Sequence, residues 1–144
     1  LSAEGSYGVG AELRDAVRHE FAAGFCGDAE TAEEIARVWK DSGYLIDPHT
    51  AVASRVLRDY RARTGDKTPA VVVSTASPYK FCDSVLRALG VETDAPGTEL
   101  IGRLERATGT TAPAPLADLA GRTVRFEACG APEAQRQVVE DFLA

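Results

Sequence analysis

The sequence has no methionine, a single tryptophan (Trp39), three cysteines and two histidines among its 144 residues. Each scarcity removes a class of explanation. Cys26, Cys82 and Cys129 are far apart, form no CxxC pair and have no histidine at ligand spacing. A disulfide framework and a zinc site are both excluded, and the expectation is buried thiols in a reducing, cytoplasmic setting. Positive charge is also short: 16 Lys plus Arg against 22 Asp plus Glu leave a net charge of −6. That balance argues against a nucleic-acid or anionic-membrane partner. No apolar run approaches the roughly 20 residues of a membrane span. A nascent chain begins with methionine, so a chain opening at Leu1 is expected to be a piece of a longer product, cut by proteolysis or by cloning.

What is present is an ordinary globular composition, 44% hydrophobic and 26% charged, enough to build a core without staples or a metal. Leu1 to Gly10 reads as a leading loop. Leu13, Val17 and Phe21 recur at a spacing of four and mark one face of a first helix, with Gly24 and Gly27 bracketing its end. Asp28 or Thr31 caps a second helix. Thr31-Ala32-Glu33-Glu34 has the capping-box spacing, and Ile35, Val38 and Trp39 form the buried stripe. Asp47 followed by Pro48 predicts a third helix running to about Thr64, closed by Gly65, with Val52, Val56, Leu57 and Tyr60 inside.

Ala70-Val71-Val72-Val73 is the strongest strand signal, a β-branched run of the kind buried on both faces. It ends in Ser74-Thr75-Ala76. Ser77 then caps a helix with Pro78 at its first position, burying Phe81, Val85, Leu86 and Leu89 and stopping at Gly90. Thr98 starts a short helix with Leu100, Ile101 and Leu104 inside and Gly109 at its end. Pro115 to Gly121 allows one or two helical turns, Thr123 to Glu127 alternates like an edge strand, and Pro132 to Leu143 is a last amphipathic helix burying Val138, Val139, Phe142 and Leu143. The expected fold class is α/β, helix-rich with few strands. A sheet with so few strands cannot cover its own edges, a second sign that part of a larger domain is missing.

Two turns carry the candidate chemistry. Asp47, His49 and Thr50 stand at a helix start, where an Asp and a His can do acid–base work; the alternative is that Asp47 only caps and His49 faces water. Ser74, Thr75 and Ser77 place hydroxyls where a strand meets a helix, able to bind phosphate or donate to a ring nitrogen. Ser74 and Thr75 point to opposite faces of an extended chain, so one of them at most meets a given ligand. Lys80 is either a reactive amine or a solvated lysine. Gly8-Val9-Gly10 lacks the third glycine and the preceding strand of a phosphate loop, and no nucleophile elbow surrounds any serine.

The same turns carry a resemblance. Gly43-Tyr44-Leu45-Ile46-Asp47-Pro48-His49-Thr50-Ala51-Val52-Ala53 closely resembles a motif of threonine synthases. Ser74-Thr75-Ala76-Ser77-Pro78-Tyr79-Lys80-Phe81 resembles the second, often written with His-Pro-Ala in place of Ser-Pro-Tyr. Leu1-Ser2 through Tyr7, then Phe25, Asp28 and Glu30-Thr31, match in style, so the likeness covers most of Leu1 to Gly90 and fades beyond it. Ser77 and Tyr79 depart from the commonest form, and Cys82 stands where many members carry proline.

The resemblance implies the C-terminal part of a tryptophan-synthase-β-like, fold-type II pyridoxal 5'-phosphate enzyme. The family converts O-phospho-L-homoserine and water into L-threonine and phosphate. Its Schiff-base lysine and cofactor-phosphate loop lie upstream of this region, so no catalytic residue is expected in this chain, which alone should be inactive. Thr75 matches the threonine whose hydroxyl faces the pyridine nitrogen, with Ser74 the second choice; Asp47, His49 and Thr50 match a motif that turns toward the cleft. Lys80 matches a family lysine that is not the Schiff-base residue. The expected organisation is one fragment, 1–90 bearing the motifs and 91–144 a helical region with an edge strand. Its partner is the N-terminal part of the same enzyme, and an uncovered apolar face would favour self-association of the fragment. The competing readings are a non-catalytic helical interaction domain and a related lyase acting on another amino acid.

Overall fold

The computed structural model describes residue 5 and residues 7–125 and 130–144. Cys129 and the Phe126–Glu127 end of the expected edge strand lie outside the described residues, as do Leu1 to Glu4 and Ser6. Seven α-helices are described: α1 (Ala11–Glu20), α2 (Asp28–Ser42), α3 (Pro48–Thr64), α4 (Cys82–Ala88), α5 (Gly97–Thr108), α6 (Ala114–Ala117) and α7 (Gln135–Leu143). Short 3-10 turns occupy Pro78–Lys80, Asp118–Gly121 and Pro132–Ala134.

The core lies where α2, α3, α4 and α5 meet. Ile35 from α2, Ile46 and Ala51 at the start of α3, Val85 and Leu86 from α4, and Leu100, Ile101 and Leu104 from α5 form one buried cluster with Tyr79, Cys82 and Ala112. Each large aliphatic side chain so enclosed contributes about 1.5–3 kcal/mol. Helix ends follow the glycines. Gly43, Gly65 and Gly109 all take left-handed φ, between 66° and 73°, and each closes its helix by donating its backbone N–H to a carbonyl of the last turn.

Helices α2 and α3 are also joined through a charge that hydrophobic patterning does not reveal. Glu34 is fully buried. Arg37 grips it with two bonds of 2.6 and 3.0 Å, Ser54 of α3 donates to it at 2.8 Å, and Arg58 of α3 lies 2.9 Å away. The paired hydrogen bonds from Arg37, aided by Ser54 and the positive charge of Arg58, outweigh burial and lower the Glu34 carboxyl to about 2.

Several expectations are corrected. Val71 to Val73 form no strand; among the described residues there is no strand at all, and Val71 and Val73 are exposed. A β-branched run becomes a buried strand only when neighbours supply ladder bonds on its flanks, and these neighbours are absent from the described residues. Thr123 to Arg125 are likewise not in a strand. The helix expected from Pro78 is broken: a 3-10 turn precedes Phe81, whose φ of −130° and ψ of 37° interrupt the helix before α4 begins. Helix α2 starts at Asp28, where Glu30 reaches back to accept from the Gly27 amide at 2.9 Å, so the capping pair sits one turn earlier than the Thr31 reading. Helix α1 ends at Glu20, ahead of the glycines. In α7, Val138, Val139, Phe142 and Leu143 are exposed, not buried, because no described element packs against them closely. Val52, Val56, Leu57 and Tyr60 of α3 are half-buried; Thr50 and Ala51 are its buried residues. Of the thiols, Cys82 is buried and Cys26 half-buried. No helix among the described residues is long and apolar enough to cross a membrane.

Candidate functional site

The start of α3 is built from three polar residues, Asp47, His49 and Thr50, with different fates. Asp47 stands before the helix with extended backbone (φ −80°, ψ 164°), and Pro48 follows at the first helical position. Its Oδ1 accepts the amides of His49 at 2.9 Å and Thr50 at 3.3 Å. Its Oδ2 accepts the Thr50 hydroxyl. Burial alone would raise this carboxyl, but the hydrogen bonds from Thr50 and His49 prevail and hold it below its ordinary value. Asp47 is fully buried and Thr50 nearly so. His49 is exposed: its Nδ1 lies 3.3 Å from Asp47 Oδ1 and its ring sits 5.0 Å from that of Phe81, tilted by 59°.

The second turn meets the first at one point. Thr50 Oγ1 lies 3.0 Å from Ser74 Oγ. Thr50 has one hydroxyl proton, and an ionised Asp47 can only accept, so that proton goes to Asp47 and Ser74 is the donor toward Thr50. The carbonyl of Ala76, at 3.4 Å, is the competing acceptor for the Ser74 proton. Thr75, the next residue, is exposed and its hydroxyl makes no hydrogen bond among the described residues. Ser74 is therefore spent on holding the two turns together, while Thr75 keeps a free donor.

Ser77 caps the 3-10 turn, accepting the Tyr79 amide at 3.3 Å. The buried Tyr79 reaches across to Thr110 at 2.6 Å, and Thr110 continues to Thr108 at 2.8 Å, which fixes the turn against the end of α5. Cys82 donates to the Tyr79 carbonyl at 3.2 Å, and burial raises its thiol pKa, the state of an inert packing residue. Lys80 is exposed and forms no ion pair among the described residues. The structure thus brings Asp47, His49, Thr50 and Ser74 together, with Thr75 adjoining. It turns Asp47 and Thr50 inward, into buried positions. The Ser74–Thr50 bond spans 24 positions, so no local pattern in the chain announces it.

Comparison with known proteins gives one answer. Residues 50–143 match the family described as threonine synthase, C-terminal. This chain belongs to the threonine synthase family. The human protein named threonine synthase-like 1 is 33% identical over 107 residues, 71% of this chain and 14% of that protein. The threonine synthase of Pseudomonas aeruginosa is 43% identical over 61 residues, 42% of this chain and 13% of that enzyme. Among solved structures, the crystal structure of PLP-bound threonine synthase from Brucella melitensis matches with a TM-score of 0.69 and 31% identity, over 99% of this chain and 26% of that one. The chain therefore spans between a tenth and a seventh of the first curated relatives it matches and about a quarter of the solved one. The fold expected for threonine synthases, the C-terminal part of a fold-type II architecture, is the fold observed, in a helix-rich piece of it.

Proposed function

We propose that this chain is the C-terminal part of a threonine synthase that converts O-phospho-L-homoserine and water into L-threonine and phosphate, and that it forms one wall of the pyridoxal-phosphate cleft. The observation that carries this reading is the meeting of the two motifs: Ser74 bonded to Thr50, and Thr75 left exposed beside it with an unused hydroxyl. The donor set fits a pyridine ring. The one carboxylate nearby, Asp47, has its oxygens committed to Thr50 and His49, so a neutral hydroxyl is what remains to meet a ring nitrogen.

When bound, the cofactor supplies an electron sink for carbanion chemistry on the amino-acid substrate. Thr75 would hold the ring by donating to its nitrogen. A hydroxyl there, in place of a carboxylate, orients the ring without forcing a full positive charge on it. Ser74 is the weaker candidate for that contact because its proton already serves Thr50. His49, exposed and with its ring tilted against that of Phe81, lines the same side of the cleft, whereas Asp47 and Thr50 support it from within. The lysines of this chain are Lys40, Lys67 and Lys80, and in this reading none of them is the family lysine that anchors the cofactor. That residue is supplied by the N-terminal part of the same enzyme, which is the partner of this piece. Residues 1–90 and 91–144 then act as one unit of a cytoplasmic enzyme, inactive alone.

The test is phosphate release from O-phospho-L-homoserine with added pyridoxal phosphate, using the complete reading frame beside this chain. Release by the complete protein alone is the expected outcome. Absence of release from both would overturn the enzymatic reading and favour a non-catalytic interaction domain or a lyase of another amino acid.

A further inference from the structure

We propose that Asp47 is a positioning residue for His49: it holds the imidazole as the tautomer protonated at Nδ1, so that His49 meets the substrate side through Nε2, as the acceptor of a hydrogen bond from an N–H or O–H group. This inference rests on the proposed role of this face as a cleft wall and adds the atom that His49 brings to it.

The hold on His49 comes from within the chain, on two sides. Its Nδ1 lies 3.3 Å from Oδ1 of Asp47, whose side chain is 0% exposed. That carboxylate is itself fixed. It caps α3 by accepting the amides of His49 and Thr50, and it accepts the Thr50 hydroxyl. Donors on both oxygens favour its ionised form, and an ionised carboxylate has no proton to give. The proton between the two groups therefore sits on Nδ1, because the other tautomer would turn a lone pair toward the negative charge. On the second side stands Phe81, its ring centroid 5.0 Å from that of His49 and its plane tilted by 59°. Phe81 is fixed by its own backbone: its amide ends on the Pro78 carbonyl and its carbonyl accepts the Val85 amide, each at 3.0 Å. Carboxylate and ring together set the orientation of the imidazole. Nε2 is what is left, with no hydrogen-bond partner among the described residues. In a neutral imidazole protonated at Nδ1, that nitrogen carries a lone pair.

Amide side chains can stand in for the single nitrogens: the amide of Asn reaches the place of Nδ1, and that of Gln the place of Nε2. In the complete protein loaded with pyridoxal phosphate, His49→Asn should lower kcat/KM about tenfold, the scale of one lost hydrogen bond, while His49→Gln should stay within about threefold of the parent. A loss carried by KM names the substrate amine as the donor; a loss carried by kcat alone names the water that the reaction consumes. The second readout does not depend on turnover. Nitrogen NMR of the complete protein, labelled in its histidine rings and held at mildly alkaline pH, should show Nδ1 protonated and Nε2 bare for the signals that vanish in His49→Asn. Asp47→Asn keeps the cap, since an amide oxygen also accepts backbone N–H groups, and removes the charge; the second tautomer should then appear. A loss in His49→Gln as large as in His49→Asn, no loss in His49→Asn, a parent signal protonated at Nε2, or an unchanged spectrum in Asp47→Asn would each overturn the proposal while leaving the cofactor reading standing. A complete wild-type protein that takes up no pyridoxal phosphate and releases no phosphate would overturn both.

Discussion

Helices α5 and α7 carry the same kind of amphipathic pattern and end in opposite surroundings. In α5, Leu100, Ile101 and Leu104 are at most 8% exposed, enclosed by α4 and the turn before it. In α7, Phe142 and Leu143 are 81% and 77% exposed. Helix α1 sides with α7: its Leu13 and Val17, and Phe21 just past its end, are exposed. An apolar stripe thus states that a face wants cover and says nothing of what covers it. The cover for α5 lies within the next few elements in sequence; for α1 and α7 the described residues hold none. Burial is a property of pairs of elements, whereas periodicity is a property of one.

The contrast can be broken with substitutions graded by burial. Leu86→Ala removes a fully enclosed side chain at the centre of the packed half and should cost about 2–5 kcal/mol, read as a fall in the urea midpoint. Glu34→Gln should come next, at about 1–3 kcal/mol, because it strips the charge that Arg37 and Arg58 share. Its signature is in the pH dependence. Folding lowers the Glu34 carboxyl from 4.5 to about 2, so the unfolded chain binds the proton first as pH falls. The stabilisation is complete above 4.5 and drains away toward 2. Urea midpoints followed downward from neutral pH should show that loss in the parent and a flatter acid limb in Glu34→Gln. A parallel fall in both would assign the acid sensitivity to other carboxylates.

The smallest effect is expected at the other end of the comparison. Phe142→Ser changes an exposed side chain and should stay within about 0.5 kcal/mol in this chain. The same substitution in the complete protein sharpens the contrast: a loss of about 2 kcal/mol there would show that the α7 face is covered by the remainder. Equal, negligible effects in both would mean the face stays wet.

The parts of the fold that were legible in sequence are those decided within a few residues. Asp47-Pro48 and Gly65 bound α3 because a cap, a fixed φ and a left-handed glycine are local devices. Leu100, Ile101 and Leu104 were read correctly because their cover is close by. Ala70 to Val73 misled because a strand is made by its neighbours. The break at Phe81 was hidden because Pro78 suits a 3-10 start as well as an α-helical one. Glu34 was missed because a buried carboxylate needs cations from two helices, and Arg58 is far from it in sequence. In the candidate site the residue types and the opposition of Ser74 and Thr75 were visible, and the bond between Ser74 and Thr50 was not, since its partners stand 24 positions apart.

The capping of α3 has one more consequence. A helix start usually offers free amides and a positive field to a passing anion. Here Pro48 has no N–H, the amides of His49 and Thr50 end on the Asp47 carboxylate, and the amide of Ala51 ends on the Asp47 carbonyl. The socket is already filled by an anion of the chain's own, and its negative charge repels a second. A phosphate ester arriving at this surface finds the start of α3 closed to it, and its grip has to come from donors on other segments.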